Sequence, residues 1–407
     1  MESPETFLFR GARWLTFASA VAILFSIAAS QILLGLALAA LLLSGGRMRL
    51  PRIALPLGLF LAGTLISLAL SPDPAAGLPQ VRKIFVFTTL LVVFSTLRDM
   101  QTIRWLFLSW AGAGTLTALR GLVQFGNKVQ AAHAQGRGFY DYYVGERITG
   151  FTSHWMTFGG QEMFALLMTA AFLFFACIRR KRVWLWLLCA LVMAVALLLG
   201  FTRSIWLASA GAGIYLLWFW KRALAAALPV LLLLIAFLAP ASIRERFSSM
   251  LNPGKLDSNQ HRIVTWRTGL EMIRAHPWFG LGPEEVKLQF EHYVPADIPR
   301  PLPEGWYGHL HNIYLQYAAE RGIPTMLLML WILGQILWDC ARRAWRLPPG
   351  RSDVKFVLHG AVAVVVATMI AGLFEYNLGD SEVLTMFLVV VGCAYAAMDA
   401  AGESTVA

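Results

Sequence analysis

Charged residues are scarce in this chain of 407 residues. Only 14% of its residues are charged, 58% are hydrophobic, and the mean hydropathy is +0.61. Soluble domains carry about 25% charged residues, so a chain this apolar cannot hide its hydrophobic surface in a water-soluble globule. The composition therefore excludes an ordinary soluble protein and predicts that lipid surrounds much of the molecule.

Disulfide frameworks, metal-ligand spacings and phosphate-binding glycine loops are also lacking. The four cysteines all fall inside apolar runs, so we expect no disulfide bonds; they are Cys177, Cys189, Cys340 and Cys393. No set of His, Cys, Asp and Glu has metal-ligand spacing, and we expect neither a metal nor another cofactor. No nucleophile elbow centred on serine is present. These absences argue against nucleotide-binding, metal-dependent and serine-hydrolase chemistry.

Long apolar runs dominate the sequence instead. A membrane-spanning helix needs about 20 apolar residues, and several runs reach or approach this length. The approximate bounds of twelve such runs are 11–29, 31–45, 53–71, 84–98, 103–123, 159–178, 183–200, 204–220, 223–240, 324–341, 355–374 and 383–399. They predict an all-α polytopic membrane protein, and we expect the first run to be a retained helix rather than a cleaved signal peptide.

The net charge of +11 comes from arginines and lysines clustered between the apolar runs, a pattern typical of membrane topology rather than of nucleic-acid binding. With the N-terminus in the cytoplasm, the inner segments hold more than twice as many of these cations as the short outer loops. The positive-inside rule selects this orientation, with both termini cytoplasmic. We expect one integrated domain made of helices 1–9 (1–240), a long, partly helical outer segment (241–323) and helices 10–12 (324–407).

Three cations at the outer membrane boundary run against this bias. Arg82 and Lys83 begin the fourth apolar run, and Arg203 lies in the tight turn between the seventh and eighth. Guanidinium groups bind phosphate oxygens bidentately, so these residues are candidates for a diphosphate site. The alternative is that the side chains snorkel to lipid headgroups, although the turn at Arg203 is too short to be a solvated loop.

The segment GHLHNIYLQYAAERGIP carries the most informative pattern. Asn312, Gln316 and Glu320 repeat every four residues and form one polar stripe on a helix, with His311 at its start and His309 as a competitor. Polar residues at a membrane surface are costly and usually face a cavity. A histidine there is a candidate general base, and the alternative is a capping or structural histidine.

A second helical pattern, NQHRIVTWRTGLEMIRAH, precedes this segment. Arg267 and Arg274 lie beside its apolar stripe, Pro277 ends it, and Gly280 and Gly282 permit a tight turn. The functional interpretation places an arginine at the site. The alternative is an amphipathic helix that rests on the membrane body with its arginines in solvent.

Other ionisable residues give weaker signals. Glu375, Asp380 and Glu382 cluster after the eleventh run, where they either bind a metal or a sugar or, as is more typical, belong to a solvated loop. Asp339 and His359 are among the few ionisable residues inside a run. A transporter should carry more of them at that depth, so this distribution disfavours a transporter.

Together these motifs resemble the O-antigen ligase and polymerase superfamily. HNIYLQYAAERGIP resembles its H-N-x-x-L-x-x-x-x-E-x-G-I motif, and GFTRSIWLA resembles its T-x-S-R-x-x-W turn, with Arg203 and Ser204 in swapped order. The upstream element resembles R-x-x-x-W…h-P-x-x-G-x-G, and the matching residues are Arg262, Trp266, Pro277, Gly280 and Gly282. The resemblance covers nearly the whole chain.

The resemblance implies a C-type glycosyltransferase of the bacterial inner membrane with a periplasmic active site. The donor would be O antigen on undecaprenyl diphosphate, and the chain length favours the ligase, whose acceptor is lipid A–core. His311 would act as the general base, and Arg267 would be the second catalytic residue. Arg82, Lys83 and Arg203 would hold the diphosphate. Supporting residues would be Asn312, Gln316, Glu320, His309 and Arg262. A polymerase, a protein O-oligosaccharyltransferase and a lipid-glycan transporter or flippase stay open as alternatives.

Overall fold

A computed structural model of the protein describes residues 6–178, 180–238, 240, 243–246 and 257–403. These residues form helices joined by turns and loops, with no strand among them. The helices are α1 (Phe7–Ala22), α2 (Ile27–Leu43), α3 (Ala54–Ala69), α4 (Leu78–Arg82), α5 (Ile84–Thr96), α6 (Met100–Ala134), α7 (Phe139–Gly145), α8 (Trp155–Phe175), α9 (Val183–Leu199), α10 (Arg203–Trp220), α11 (Arg222–Leu238), α12 (Asp257–Ala275), α13 (Glu285–Tyr293), α14 (Ile313–Arg346), α15 (Asp353–Gly372) and α16 (Ser381–Glu403).

Six helical stretches are long and apolar enough to cross a membrane. They are Leu78–Thr96, Met100–Ala134, Trp155–Phe175, Ile313–Arg346, Asp353–Gly372 and Ser381–Ala401. A helix also occupies each of the other predicted apolar runs, so the all-α character is confirmed. The count of twelve crossings and their orientation stay predictions. Arg179, in the predicted inner loop after the sixth run, lies outside the described residues, as do 241–242 and 247–256 of the predicted outer segment.

The first helical hairpin differs from its predicted bounds. Helix α1 ends at Ala22, and the Ser26 side chain caps α2 by accepting a hydrogen bond from the Ala29 N–H. The predicted run 11–29 therefore crosses a turn. Ile23 and Leu24 are apolar and buried although they belong to that turn, so hydropathy alone could not show where the helix ends.

Helix α15 lies at the centre of the helical body. It packs against α8, α10, α14 and α16, and its residues from Phe356 to Val365 are buried throughout. A helix enclosed on all sides needs an apolar surface all round, which the sequence KFVLHGAVAVVVATMIAG supplies. Its rigid C-terminal end leads directly to Glu375.

A break in α14 joins the outer segment to the helical body. Gly322 has φ 80° and interrupts the helix, and the turn 277–282 packs against the exposed backbone. Leu281 N–H donates to Ala319 O at 2.9 Å, and Ile323 N–H donates to Pro277 O at 2.8 Å. A Cβ atom on Gly322 would lie 2.1 Å from Trp278 O, so only glycine fits this approach.

Candidate functional site

A cavity of about 840 Å³ lies between the outer segment and the N-terminal ends of α5, α8, α10, α14 and α16. We call it the first cavity. Seven of the predicted site residues line it, namely Lys83, Arg203, Arg262, His309, His311, Gln316 and Glu320. The fold therefore brings together side chains that are spread over more than half of the sequence.

His311 faces acceptors at both ring nitrogens. Its Nδ1 lies 3.5 Å from Oε2 of Glu375, and its Nε2 lies 3.4 Å from the carbonyl oxygen of Trp306. The residue has φ 49°, a left-handed conformation that costs a non-glycine residue roughly 1–2 kcal/mol. Strained residues of this kind cluster at functional sites, and here the strain aims the ring into the cavity.

The polar stripe of α14 holds the His311 loop in place. Asn312 caps the helix by accepting hydrogen bonds from the Tyr314 and Leu315 N–H groups, each at 3.0 Å. Gln316 Oε1 accepts from Leu310 N–H at 2.7 Å, and its amide donates to Glu320 at 2.9 Å. The stripe does face the cavity, as the sequence suggested, but its hydrogen bonds serve the backbone around the histidine.

Glu375 connects His311 to an arginine of α12. Its Oε1 lies 2.7 Å from Nη2 of Arg262, and the residue is only 7% exposed. Burial opposes ionisation, but the hydrogen bond from His311 and the charge of Arg262 outweigh it and hold the pKa of Glu375 below its usual range. The sequence favoured a solvated loop for Glu375. That prediction was wrong, because the fold buries Glu375 and brings Arg262 to it.

Two further histidines surround His311, and within the described residues neither has a carboxylate hydrogen-bond partner. Burial, followed by the charge of the nearby His311, lowers the pKa of His309 to about 3 and that of His261 to about 4. His309 Nδ1 accepts a hydrogen bond from the His311 N–H at 3.1 Å, so His309 supports the loop. Within the described ranges no group of three or more His, Cys, Asp or Glu is placed to hold a metal ion.

One side of the cavity, which we call the arginine side, consists of Arg147, Arg203 and Arg246. Burial, followed by the charge of Arg246, lowers the pKa of Arg147 to about 9. The strongest charge effects on Arg203 likewise come from two cations, Arg246 and Arg262. All three guanidinium groups line the same cavity, so an anion bound there would relieve their mutual repulsion.

Backbone and amide acceptors hold the arginine side in shape. Arg203 Nη2 donates to Asn259 Oδ1 at 2.9 Å, Arg246 Nε donates to Phe201 O at 2.9 Å, and Arg147 Nε donates to Val144 O at 3.1 Å. Sequence reasoning did not single out Arg147 or Arg246. Arg147 could have been found, since it is another cation on the predicted outer side.

The opposite side, which we call the lysine side, consists of Lys83 with Glu284, Glu320 and Asp380. Lys83 Nζ donates to Gly379 O at 2.6 Å. Burial disfavours the charge of Lys83; the carboxylates of Glu284, Glu320 and Asp380 favour it, and the nearby Arg321 opposes them. This cation therefore has counter-charges built into the fold.

Three predicted site residues do not line the cavity. Asn312 instead caps α14, and Arg82 is exposed. Arg267 is 45% exposed and forms an ion pair with Asp297 at 2.8 Å. Five residues of α-helix turn Arg267 about 140° away from Arg262, and it is Arg262 that faces Glu375. Of the two residues predicted to be catalytic, the structure brings only His311 to the cavity.

Comparison with known proteins finds a family match over part of the chain. A family model described as O-antigen ligase matches residues 188–330, a region that runs from α9 into α14 and includes Arg203, Arg262 and His311. A search of curated proteins found no match to the chain. The matched region contains the three elements whose motifs resemble this superfamily, and the fold joins them around one cavity. Over residues 188–330 the chain is thus similar to the O-antigen ligase family.

Proposed function

We propose that this protein is an O-antigen ligase that transfers a polysaccharide from undecaprenyl diphosphate to a sugar hydroxyl of lipid A–core. The reaction would take place at the periplasmic face of the bacterial inner membrane. One observation carries the proposal: a single cavity holds His311, with its carboxylate partner, and the arginine side. Transfer from a lipid diphosphate needs a base for the acceptor and positive charge for the leaving group.

His311 is the proposed general base. The acceptor hydroxyl gives its proton to Nε2 of His311 while its oxygen forms a bond to the anomeric carbon of the donor. The bond from that carbon to the diphosphate oxygen breaks on the opposite face, and the diphosphate leaves with the electron pair. The configuration at the carbon is therefore inverted.

Glu375 is the proposed positioning residue for His311. Its carboxylate accepts a hydrogen bond from the Nδ1–H of the ring, 3.5 Å away, which leaves Nε2 available for the proton of the acceptor. The positive charge that the ring gains is then stabilised by the same carboxylate. Arg262, at 2.7 Å from Glu375, keeps the carboxylate ionised.

The arginine side is the proposed diphosphate site. Negative charge grows on the leaving diphosphate as its bond to the sugar breaks, and preorganised cations stabilise that charge most strongly where water is excluded. Arg203 is 8% exposed and its guanidinium is already oriented by Asn259. The arginines supply the charge that a metal ion would otherwise supply, so we expect transfer without a metal.

The test is transfer by purified protein. Wild type, His311→Ala and His276→Ala are incubated with glycan on undecaprenyl diphosphate, lipid A–core and excess chelator. His276 is a matched control because it lies outside the cavity, hydrogen-bonded to Tyr293 at 2.9 Å. We expect laddered lipopolysaccharide from wild type and His276→Ala, and a rate lower by about 10²–10⁴-fold in His311→Ala because the general base is lost.

Other products would point to other activities. Glycan chains that grow on the lipid carrier would identify a polymerase, and glycan on a protein acceptor would identify a protein transferase. Flux of the labelled glycolipid across proteoliposomes without any covalent product would identify a transporter. Full activity of His311→Ala would contradict the assignment of the base.

A further inference from the structure

A second cavity, of about 690 Å³, lies at the other end of the helical body. The first cavity touches the N-terminal ends of α5, α14 and α16 at Lys83, Gln316 and Asp380. The second touches the C-terminal ends of the same helices at Phe94, Arg346 and Asp399. The length of these apolar helices therefore separates the two cavities, and the second one plays no part in the chemistry proposed for the first.

Arginine dominates the lining of the second cavity. The charged residues that line it are Arg49, Arg52, Arg342, Arg343, Arg346, Asp339 and Asp399. Three of the arginines lie within five residues on the last turns of α14, and two lie just before α3. One loop and one helix end thus bring positive charge to the same cavity.

The two aspartates are already engaged. Asp399 forms an ion pair with Arg49, the one ion pair that this cavity has among the described residues. Asp339 Oδ2 accepts a hydrogen bond from Tyr395 OH at 2.9 Å. Neither aspartate neutralises the remaining arginines, so the cavity keeps an excess of positive charge.

Arg343 carries a donor that lacks an acceptor. Its Nε is buried and has no hydrogen-bond partner. A buried donor without a partner is costly, and a guanidinium group pairs best with two oxygens of a carboxylate or phosphate. Arg343 lines the cavity, so the cavity offers positive charge and guanidinium groups to an oxyanion.

Exposed tryptophans show the depth at which this cavity lies. Trp338 is 60% exposed and Trp345 is 68% exposed, both on the α14 turns that carry the arginines, and the Arg342 guanidinium lies 5.9 Å from the Trp338 ring centre. Tryptophan concentrates at membrane–water interfaces, level with the lipid headgroups. The arginines of the second cavity therefore share their helix turns with residues typical of the headgroup level.

We infer that the second cavity is a binding site for a phosphate group, which an anionic phospholipid headgroup or soluble phosphate would supply. Basic pockets between membrane helices recognise phosphate headgroups in this way. The site is independent of glycan transfer. It would fix the α14 and α16 ends relative to α3, on the side of the molecule that the charge pattern places in the cytoplasm.

Native mass spectrometry of the purified protein with phosphatidylglycerol or phosphatidylethanolamine tests the inference. The variant Arg343→Gln/Arg346→Gln removes two charges from the cavity. Lys181→Gln/Arg182→Gln is the matched control, because it removes two exposed charges at the same end of the molecule. We expect wild type and control to prefer phosphatidylglycerol, and the cavity variant to bind it more weakly by on the order of tenfold.

Added inorganic phosphate distinguishes the two sources. Displacement of phosphatidylglycerol only at high phosphate identifies the lipid headgroup, and efficient displacement at low phosphate identifies soluble phosphate; both support the site. Equal binding by wild type and the cavity variant, or equal loss in the control, would overturn it. The variant Arg343→Lys/Arg346→Lys keeps the charge and should keep binding, so it separates loss of the site from misfolding. A wild type that neither prefers phosphatidylglycerol nor binds phosphate would also overturn the inference.

Discussion

The two sides of the first cavity hold cations in opposite electrostatic surroundings. On the arginine side, the strongest charge effects on Arg203 come from other cations. On the lysine side, the strongest charge effects on Lys83 come from carboxylates. Both residues lie at the predicted outer boundary and look alike in sequence. The difference teaches that the neighbouring charges, more than the position at the membrane, decide which cation is prepared for an anionic ligand.

The folds of the two sides explain the difference. Arg147, Arg203 and Arg246 come from a loop, the start of α10 and the short helical stretch 243–246, and among the described residues of these segments no acid lines the cavity. Glu284 and Glu320 come together at the break in α14, where the Glu284 N–H donates to Glu320 Oε1 at 3.0 Å. The docking of the outer segment onto α14 thus brings carboxylates to the lysine side, where Glu320 also pairs with Arg321 at 3.1 Å.

The largest loss of transfer activity should distinguish the arginine side from the lysine side. Arg203→Gln removes a preorganised charge from the proposed diphosphate site, so we expect kcat/KM for the lipid-linked donor to fall by about 10²–10³-fold. Lys83→Gln removes a cation that the acids already neutralise, so we expect a fall of less than about tenfold. Purified transfer assays measure both, with thermal unfolding as the check on folding. Equal losses in the two variants would break the comparison.

A smaller effect should come from the carboxylate between His311 and Arg262. Glu375→Gln keeps the shape of the side chain but removes the charge that stabilises the protonated ring, so we expect kcat to fall by on the order of tenfold to a hundredfold. KM for the donor should change little, because the arginine side is intact. Glu304→Gln, an exposed acid that lines the same cavity, is the matched control. A change in KM alone would show that Glu375 contributes to donor binding rather than to positioning the general base.

Stability should depend on pH through the buried histidines. The pKa of His309 falls from the ordinary 6.5 to about 3 and that of His261 from 6.5 to about 4, mainly because of burial. Below about pH 6.5 these two histidines bind protons in the unfolded chain but stay neutral in the folded chain. The free energy of unfolding therefore decreases as the pH falls towards 4. Thermal unfolding in detergent should show a lower Tm at pH 5 than at pH 7.

The histidine variants sharpen that measurement. His309→Asn should reduce the fall in Tm between pH 7 and pH 5, whereas the exposed His276→Asn should leave it unchanged. The pKa of Glu375 lies below its usual range, so this carboxylate stays charged across the same window and adds nothing to the change. A fall in Tm that is the same in all three proteins would assign the pH dependence to other groups.

The smallest effect should come from an arginine that belongs to neither side. Arg267 pairs with Asp297 in an exposed ion pair, and such pairs contribute about 0–1 kcal/mol. We therefore expect Arg267→Gln to change the transfer rate by no more than about threefold. A loss as large as that of Arg203→Gln would restore the catalytic role that the sequence suggested for Arg267.

Local spacing made part of the site predictable. The four-residue repeat placed Asn312, Gln316 and Glu320 on one helix face next to His311, and the structure has that face at the cavity. Arg203 was recognised because a cation in a tight outer turn is unusual. These inferences needed only the period of a helix and the alternation of apolar runs.

Partners from distant segments could not be predicted in this way. Glu375 follows Arg262 by more than a hundred residues, and nothing in the acidic cluster EYNLGDSE marks the residue that an arginine will neutralise. The orientation of Arg267 could not be predicted either, because the rotation of α12 about its axis depends on the residues that the helix packs against. Roles for Arg82, Lys83 and Arg267 therefore rested on position alone.

The sequence by itself determined that the chain is helical and suited to a membrane. Its apolar runs are about 20 residues long and nearly uncharged, and in lipid such a run must satisfy its backbone hydrogen bonds internally. It also determined the polar stripe, since helical period depends only on neighbours along the chain. Only the tertiary structure decided which charges face a ligand and which are neutralised. Electrostatic interaction falls with distance in space, and the fold sets the distances from Lys83 to Glu284, from Arg262 to Glu375 and among the arginines.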